Sequence, residues 1–408
     1  MLHLPMDQVA FPFEGWRGAE GWAPFEGREQ VDKYLAMLAM NDAMEAALVS
    51  GNGEWAYNVL HFVVTQLMEV AEAGQEAEQG RLWLEQACKV AKRGIRLLER
   101  ECKYAEALHY IALCLKSLPS ALRLEKLELT HRQIVDLEHM GCKEEALTAI
   151  EGALRVEALP DALHVTLENA YSRLAVPPRR WKPQSFPPRE PVEEVLLRGR
   201  RAQKGGWVVK KGKSAATVEG FVLEEYAKKG FSQGRHTENG LWLCLFTLLN
   251  YDQLYGAEGA QHTAWSDFPL NFGALEPSLR ASLDAMAQWS REEVEHRLKR
   301  VWQEKKGLQL KYVDWASWDL GFLTQVASHV GGRVLAAVFR MLLRAGRPDW
   351  FGGFPDLVLY NPFAQEVRFL EVKGPGDSLS ARQKAAIQVL LTSGADVQVA
   401  LVQETKNK

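Results

Sequence analysis

Gly352-Gly353-Phe354-Pro355-Asp356-Leu357-Val358-Leu359-Tyr360-Asn361-Pro362 and, a few residues on, Glu366-Val367-Arg368-Phe369-Leu370-Glu371-Val372-Lys373-Gly374 form the stretch whose reading decides the fold. Two apolar-rich runs separated by Asn and Pro predict a β-hairpin. Side chains alternate along a strand, so Glu371 and Lys373 share a face with Val367 and Phe369. Asp356 opens the first strand and Glu371 nearly ends the second, so antiparallel pairing around the turn brings those ends together. Each charge loses solvation beside apolar strand residues. Two adjacent carboxylates also repel, unless a hard divalent cation such as Mg²⁺ or Mn²⁺ relieves them. Lys373 adds positive charge where a phosphate would sit. A surface hairpin with ordinary charges at its end is the plainer reading of the same residues.

The flanks weigh against that plainer reading. Asp…Glu-x-Lys is the arrangement of the PD-(D/E)xK nucleases. The wider pattern, Gly-Gly-Phe-Pro-Asp-Leu-Val-Leu-Tyr-Asn followed by Glu-Val-Lys-Gly-Pro-Gly-Asp-Ser-Leu-Ser-Ala-Arg-Gln, resembles the virus-type replication-repair nuclease (VRR-NUC) domain. Within that group the pattern is most similar to the Fanconi-associated nucleases, and the likeness extends upstream to about residue 215. The fold class expected is therefore an α-helical, tetratricopeptide-like array followed by an α/β restriction-endonuclease-like domain with a mixed sheet.

A chain of 408 residues allows two or three domains. Its 47% hydrophobic and 25% charged content is that of an ordinary soluble protein. Cys88, Cys102, Cys114, Cys142 and Cys244 are odd in number and unclustered, which reads as reduced residues of a cytosolic protein rather than zinc ligands or disulfides. The start lacks a basic segment followed by an apolar one. The longest apolar run, Leu241 to Leu249, is too short to span a bilayer. No signal peptide or membrane segment is expected. The net charge of −3 argues against uniform adaptation to nucleic acid. The charge is uneven, however: residues 1–80 hold 13 acids and 3 Lys/Arg, while Arg179 to Lys213 holds 11 Lys/Arg and 3 acids. Local DNA contact by that basic segment is the expectation.

Residues 1–33, rich in Gly, Pro, Phe and Trp, read as irregular. From 34 to 175 the apolar spacing is helical. Cys102-Lys103-Tyr104-Ala105-Glu106-Ala107-Leu108 echoes Cys142-Lys143-Glu144-Glu145-Ala146-Leu147, with the Ala-Leu pairs 39 residues apart. Such an echo fits either a tetratricopeptide-like array, whose usual period is about 34, or an irregular bundle. An array of this kind offers a surface to a protein partner or to duplex DNA. Residues 176–214 form a proline-rich basic linker, in which a strand or hairpin is expected from Glu193 onwards. Arg179, Arg180, Arg198, Arg200, Arg201, Lys210 and Lys211 are its candidate phosphate contacts.

The nuclease domain is expected over 215–408, with a helical insertion at about 252–350. Thr217 precedes an amphipathic helix, and Leu241-Trp242-Leu243-Cys244-Leu245-Phe246 must lie in a buried one. Glu238 stands at the entrance of that helix, a place explained by capping or by a cation. Family resemblance implies the second, because Fanconi-associated nucleases carry His-x-Glu here with the glutamate as a further metal ligand. His236 matches the histidine and reads as a hydrogen-bonded orienter without chemistry of its own. Ser290 carries an N-cap signature, and Asp319 to His329 and Arg333 to Leu343 read as two helices. Trp315, Trp318 and Trp350 read as packing. Ser378 or Ser380 caps a helix ended by Gly394, and a last strand follows from Asp396.

The resemblance implies a metal site of Glu238, Asp356, Glu371 and the Val372 carbonyl holding Mg²⁺ or Mn²⁺, with Lys373 beside the scissile phosphate. Gln383 is a candidate to orient Lys373 or the water, and Arg382 and Lys384 are candidate backbone contacts. It further implies a structure-selective DNase with 5′-flap endonuclease and 5′ exonuclease activity in DNA repair, including interstrand-crosslink repair. Ser378 departs from the family, some members of which have a basic residue there. A Holliday-junction resolvase or restriction-type nuclease is the alternative, and a non-enzymatic helical adaptor the least favoured. A monomer acting on branched DNA is expected, cytoplasmic and nucleoid-associated in a bacterium or nuclear in a eukaryote.

Overall fold

The computed structural model describes residues 27–72, 81–200, 207, 217–256, 275–345 and 352–405. They fall into two compact units, one of Gly18–Glu157 with Leu167–Ser185, the other including Ala158–Thr166 and Phe186–Lys408.

The first unit is helical. It contains α1 (Arg28–Ser50), α2 (Gly53–Glu72), α3 (Arg81–Arg100), α4 (Tyr104–Ser117), α5 (Arg123–His139) and α6 (Lys143–Leu154), followed by α7 (Asp161–Leu174), which contributes to both units. Helix α1 starts six residues before the sequence pattern placed it. Its first turn carries i,i+4 pairs Arg28–Asp32 (3.7 Å) and Lys33–Glu29 (2.8 Å), a polar helical start without apolar periodicity. Consecutive helices pack on one another, and α2 meets α3 so closely that a Cβ at Gly94 would lie 2.8 Å from Leu60 Cβ. The 39-residue echo has a structural cause. Helix α3 ends with Cys102 at φ 58° and α5 ends with Gly141 at φ 78°, each turn closed by the next residue's N–H donating back to Leu98 or Leu137. The interval is thus one helix pair, at 39 residues rather than 34.

The second unit is built on a five-stranded mixed sheet in the order β1-β5-β4-β3-β2. Strand β1 is Glu193–Gly199, β2 Gln233–His236, β3 Leu357–Asn361, β4 Glu366–Lys373 and β5 Asp396–Glu404. The hairpin β3–β4 pairs antiparallel, β4–β5 and β1–β5 parallel, and β2–β3 antiparallel. Strand β1 begins at Glu193, where a strand or hairpin was expected, whereas β2 was not expected. Strand β1 comes from the proline-rich stretch. Strand β2, Gln-Gly-Arg-His, has no apolar alternation by which to be found.

Helices cover both faces. Helix α8 (Val218–Ala227), capped by Thr217, packs through Phe221, Val222 and Tyr226 on Leu357, Leu359, Leu370 and Val372. The opposite face, with Val358, Phe369, Val397 and Val399, lies in one core with α9 (Glu238–Leu249), α10 (Glu276–Met286), α11 (Arg291–Lys305), α12 (Leu320–Ala345) and α13 (Ala381–Ser393). Residues expected as an insertion thus share the core of the sheet. Ser290 and Ser380 each close a capping box, with Glu293 and Gln383. Helix α12 breaks at Gly331 (φ 77°, ψ 168°), which accounts for its reading as two helices. Long and apolar enough by composition to cross a bilayer, it is instead a core helix, 67% buried over its most apolar window.

Candidate metal centre

The hairpin register determines the site. Leu357 pairs with Leu370, so Asp356 stands across from Glu371 at the open end of the hairpin. Glu371 and Lys373 leave β4 on the face of Phe369, towards α13, while Leu370 and Val372 point to α8. Asp356 Oδ2 accepts from the Val372 N–H at 2.8 Å. The Val372 carbonyl lies on the same strand edge as that N–H and so faces the Asp356 side.

Glu371 is fully buried. Its Oε1 accepts from Lys373 Nζ at 2.8 Å and from Gln383 Nε2. Gln383 Oε1 accepts from Lys373 Nζ at 3.1 Å and from the Ser380 N–H at 2.9 Å. One side chain therefore caps α13 and holds both Glu371 and Lys373 in place. The other oxygen, Glu371 Oε2, is buried with no hydrogen-bond partner. Burial pushes the Glu371 carboxyl up to about 7, with the Asp356 charge adding to the rise and Lys373 opposing it. Burial also raises Asp356, which the Val372 N–H and Lys373 partly offset, and the Glu219 carboxylate on the first turn of α8 adds to the rise.

Strand β2 delivers the third segment. His236 pairs with Leu357, and the N–H groups of Thr237 and Glu238 donate to the Asp356 carbonyl at 3.0 and 3.5 Å. Glu238 does not cap α9: the cap position is Thr237, and the Glu238 side chain stands 3.4 Å from His236 Nε2. Glu238 itself is left-handed, φ 41°, a strained conformation for a glutamate. Ligand atoms of His236, Glu238 and Asp356 all lie within 4.8 Å of one another. The structure thus brings His236 into the carboxylate group, where sequence reasoning assigned it no chemistry. Glu219 was not foreseen at all, for lack of any local signal.

An oxygen-rich donor set with one buried carboxylate oxygen left unbonded fits a hard divalent cation. The Lys373 ammonium on Oε1 offsets only part of the cost of burying this carboxylate, and a cation at Oε2 would offset the rest.

The remaining candidates are dispersed. Arg180 is engaged within the helical unit, donating to Glu151 Oε1 and Oε2 at 2.8 and 3.0 Å and to Glu144 at 2.7 Å. Arg179 donates to the Leu174 carbonyl at 2.7 Å. In this structure both arginines, candidate phosphate contacts, are thus paired within the helical unit. Arg198 and Arg200 are exposed at β1, and Arg382 and Lys384 flank Gln383 on α13. Arg201, Lys210, Lys211 and Trp350 lie outside the described residues. Trp315 packs edge-on against Trp302, and Trp318 stacks with Phe322 and on Arg235.

Hairpin, buried Asp…Glu-x-Lys end and flanking helices together define a VRR-NUC domain, and the family model for the VRR-NUC domain matches residues 290–404. Similar proteins include the Fanconi-associated nuclease 1 homologs of Oryza sativa subsp. japonica (30% identical over 336 residues, 77% of this chain and 34% of that one) and Arabidopsis thaliana (29% over 333 residues, 77% and 37%). Fanconi-associated nuclease 1 of Danio rerio is 24% identical over 436 residues, covering 93% and 42%. In fold the chain resembles a crystal structure of paFAN1 bound to DNA with a 2-nucleotide 5′ flap and a gap. The TM-score is 0.70 at 20% identity, over 98% of this chain and 66% of that one. The chain carries a VRR-NUC domain and is similar over most of its length to Fanconi-associated nucleases. It spans between a third and a half of the length of these three curated relatives.

Proposed function

We propose that the chain is a structure-selective, divalent-metal-dependent DNA nuclease that cuts 5′ flaps and acts in DNA repair, including interstrand-crosslink repair. One observation carries the chemistry: the buried, unbonded Glu371 Oε2 beside Asp356, with Lys373 held at 2.8 Å from the other Glu371 oxygen. The choice of substrate leans on the family and on the similar fold of a protein crystallised with 5′-flap DNA.

Mg²⁺ or Mn²⁺, when bound, lowers the pKa of a water and stabilises the charge of the pentavalent transition state. Asp356, Glu371, Glu238 and the Val372 carbonyl would hold it. Lys373 donates to Glu371 and Gln383, which aims the ammonium and leaves a further N–H for the scissile phosphate or the attacking water. Gln383 positions both groups without touching the substrate. Arg198, Arg200, Arg382 and Lys384 contact backbone phosphates, which place a duplex without reading its sequence.

The test is cleavage of end-labelled 5′-flap, 3′-flap, four-way-junction and single-stranded DNA with Mn²⁺, with EDTA, and by Asp356→Ala. Metal-dependent cutting near the 5′-flap junction, lost in the variant, is the expected result. Preference for the four-way junction indicates a resolvase instead. Inactivity of folded protein on every substrate refutes the proposal.

A further inference from the structure

We propose that the groove between β2 and the N-terminal half of α12 is a subsite for an unpaired nucleobase of the flap strand, held by ring stacking and side-chain hydrogen bonds rather than through phosphate. The proposal rests on the nuclease reading above.

Strand β2 forms an outer edge of the sheet, and beside it a groove of about 620 Å³ opens towards α11 and α12. That volume lies within the roughly 300–1,000 Å³ of clefts that hold small organic ligands. Its wall includes Gln233 and the cross-strand neighbour of Gln233, Tyr360. His236, three residues further along β2, stands within 4.8 Å of the Asp356 carboxylate. At about 3.3 Å per residue the groove begins roughly 10 Å from the metal centre. A stacked strand advances about 3.4 Å per nucleotide, so a base in the groove lies within about three nucleotides of the cut.

The lining suits a flat, neutral heterocycle. Phe322 lies nearly parallel to Trp318, at 15° with centroids 6.3 Å apart, and the Arg235 guanidinium, anchored on the Ser317 carbonyl, covers both rings at 5.2 and 5.3 Å. His329 meets Tyr360 edge-on at 5.3 Å. Aromatic faces of this kind stack bases without regard to their identity. The side-chain amides of Gln233 and Gln325 offer donors and acceptors together, which match base edges. His329 Nδ1 stands 2.6 Å from the Gln325 carbonyl. A carbonyl only accepts, so Nδ1 carries the proton and the neutral ring keeps Nε2 as an acceptor.

One group of the wall lacks a partner. Thr324 is 7% exposed, and its hydroxyl oxygen is buried without a hydrogen bond among the described residues. Thr166 and Thr392, on other helices, return theirs to the carbonyl four residues back at 2.8 and 2.7 Å. A buried hydroxyl left unbonded is costly, and a ligand atom in the groove supplies the missing bond. Phosphate is the poorer occupant. Lys299 is already paired with Glu295, and Asp319 accepts from the Phe322 N–H at 2.8 Å. One ammonium against two carboxylates leaves the lining negative, which repels an anion.

The experiment measures binding of the full chain to 5′-flap DNA by fluorescence anisotropy in EDTA, with an abasic site placed at each unpaired position in turn. Removing the base at one position, within about three nucleotides of the junction, should weaken binding roughly 5- to 150-fold while its phosphate remains. Phe322→Leu, which keeps an apolar side chain but removes the ring, should weaken binding of intact DNA by a comparable factor. On DNA abasic at that position it should add no more than about twofold. Gln325→Ala gives the same cycle from a polar group of the wall. The slope of log affinity against log salt should not change in either variant, because no phosphate contact is lost. If no abasic position matters, or if both variants lose their full factor on the abasic DNA, the groove is refuted and the nuclease reading stands. A flatter salt slope in the variants also refutes it, in favour of phosphate contact. If folded wild type does not bind flap DNA at all, the nuclease reading itself fails.

Discussion

Gly353 is the position where a single methyl group should separate folding from function. Its φ is +86°, and a Cβ there would lie 2.4 Å from the carbonyl carbon of Arg382 and 2.6 Å from both the Arg382 oxygen and the Gln383 nitrogen. Carbon atoms settle about 3.5 Å apart, so loop and helix must separate by roughly 1 Å. The obstructing atoms are backbone, and no rotamer change relieves them. Three residues after Gly353 comes Asp356, while Gln383 holds Glu371 and Lys373. The displacement therefore acts between the two halves of the site.

Left-handed strain alone costs about 1–2 kcal/mol, and a misplacement of about 1 Å at a reacting centre costs about 100-fold in rate. Gly394 supplies the control. Its φ is +100° and a Cβ added there would meet nothing within 4 Å, so Gly394→Ala incurs the strain without the collision. Single-turnover cleavage of 5′-flap DNA with Mn²⁺, beside thermal melting, reads both effects. Gly394→Ala should lose a few degrees of Tm and keep its rate. Gly353→Ala should remain folded and lose about 100-fold in rate. A Gly353→Ala protein that cuts as fast as Gly394→Ala refutes the reasoning.

Gln383→Ala removes the bonds to Glu371, Lys373 and Ser380 together and should lower the rate about 10- to 100-fold, the usual effect of losing a partner that orients a metal ligand. Ser380→Ala loses only its share of the cap, about 1 kcal/mol of stability, and should keep its rate; equal rate losses in the two variants contradict the positioning role. A second expectation concerns pH. The Glu371 carboxyl is raised on folding from an ordinary 4.5 to about 7. Its ionisation therefore penalises the folded state: the penalty is complete above about 7 and disappears as pH falls towards 4.5. In EDTA, denaturant titrations should show wild type gaining stability relative to Glu371→Gln between pH 8 and pH 6. Calorimetry should show Mn²⁺ affinity falling over the same interval, because the ion must displace the proton. A pH-independent difference between the two proteins counts against the buried carboxyl as its source.

Much of the site was legible because a hairpin is local: once Asn361-Pro362 is read as the turn, strand periodicity alone places Asp356 opposite Glu371 and puts Lys373 on the same face. Capping by Ser380 and the end at Gly394 were equally local. The rest depended on pairings distant in sequence. Strand β2 exists because β3 offers it an edge, and its four residues carry no periodic signal of their own. His236 comes near the carboxylates only when the Thr237–Glu238 turn closes on the carbonyl of a residue more than a hundred positions away. A count of basic residues likewise cannot reveal that Arg180 is paired with Glu144 and Glu151.

The position of β5 between β1 and β4 sets an order of events during synthesis. Glu193 pairs with Gln398, about two hundred residues later, so at roughly 5–20 residues per second β1 waits some 10–40 s for its partner. Late in that interval the β3–β4 hairpin is complete while one edge of β4 is still bare, exposing a template for unwanted strand addition. Glu371 and Lys373 sit on that incomplete strand. Until β5 docks, the strand that carries the carboxylate geometry is thus also the one most open to aggregation.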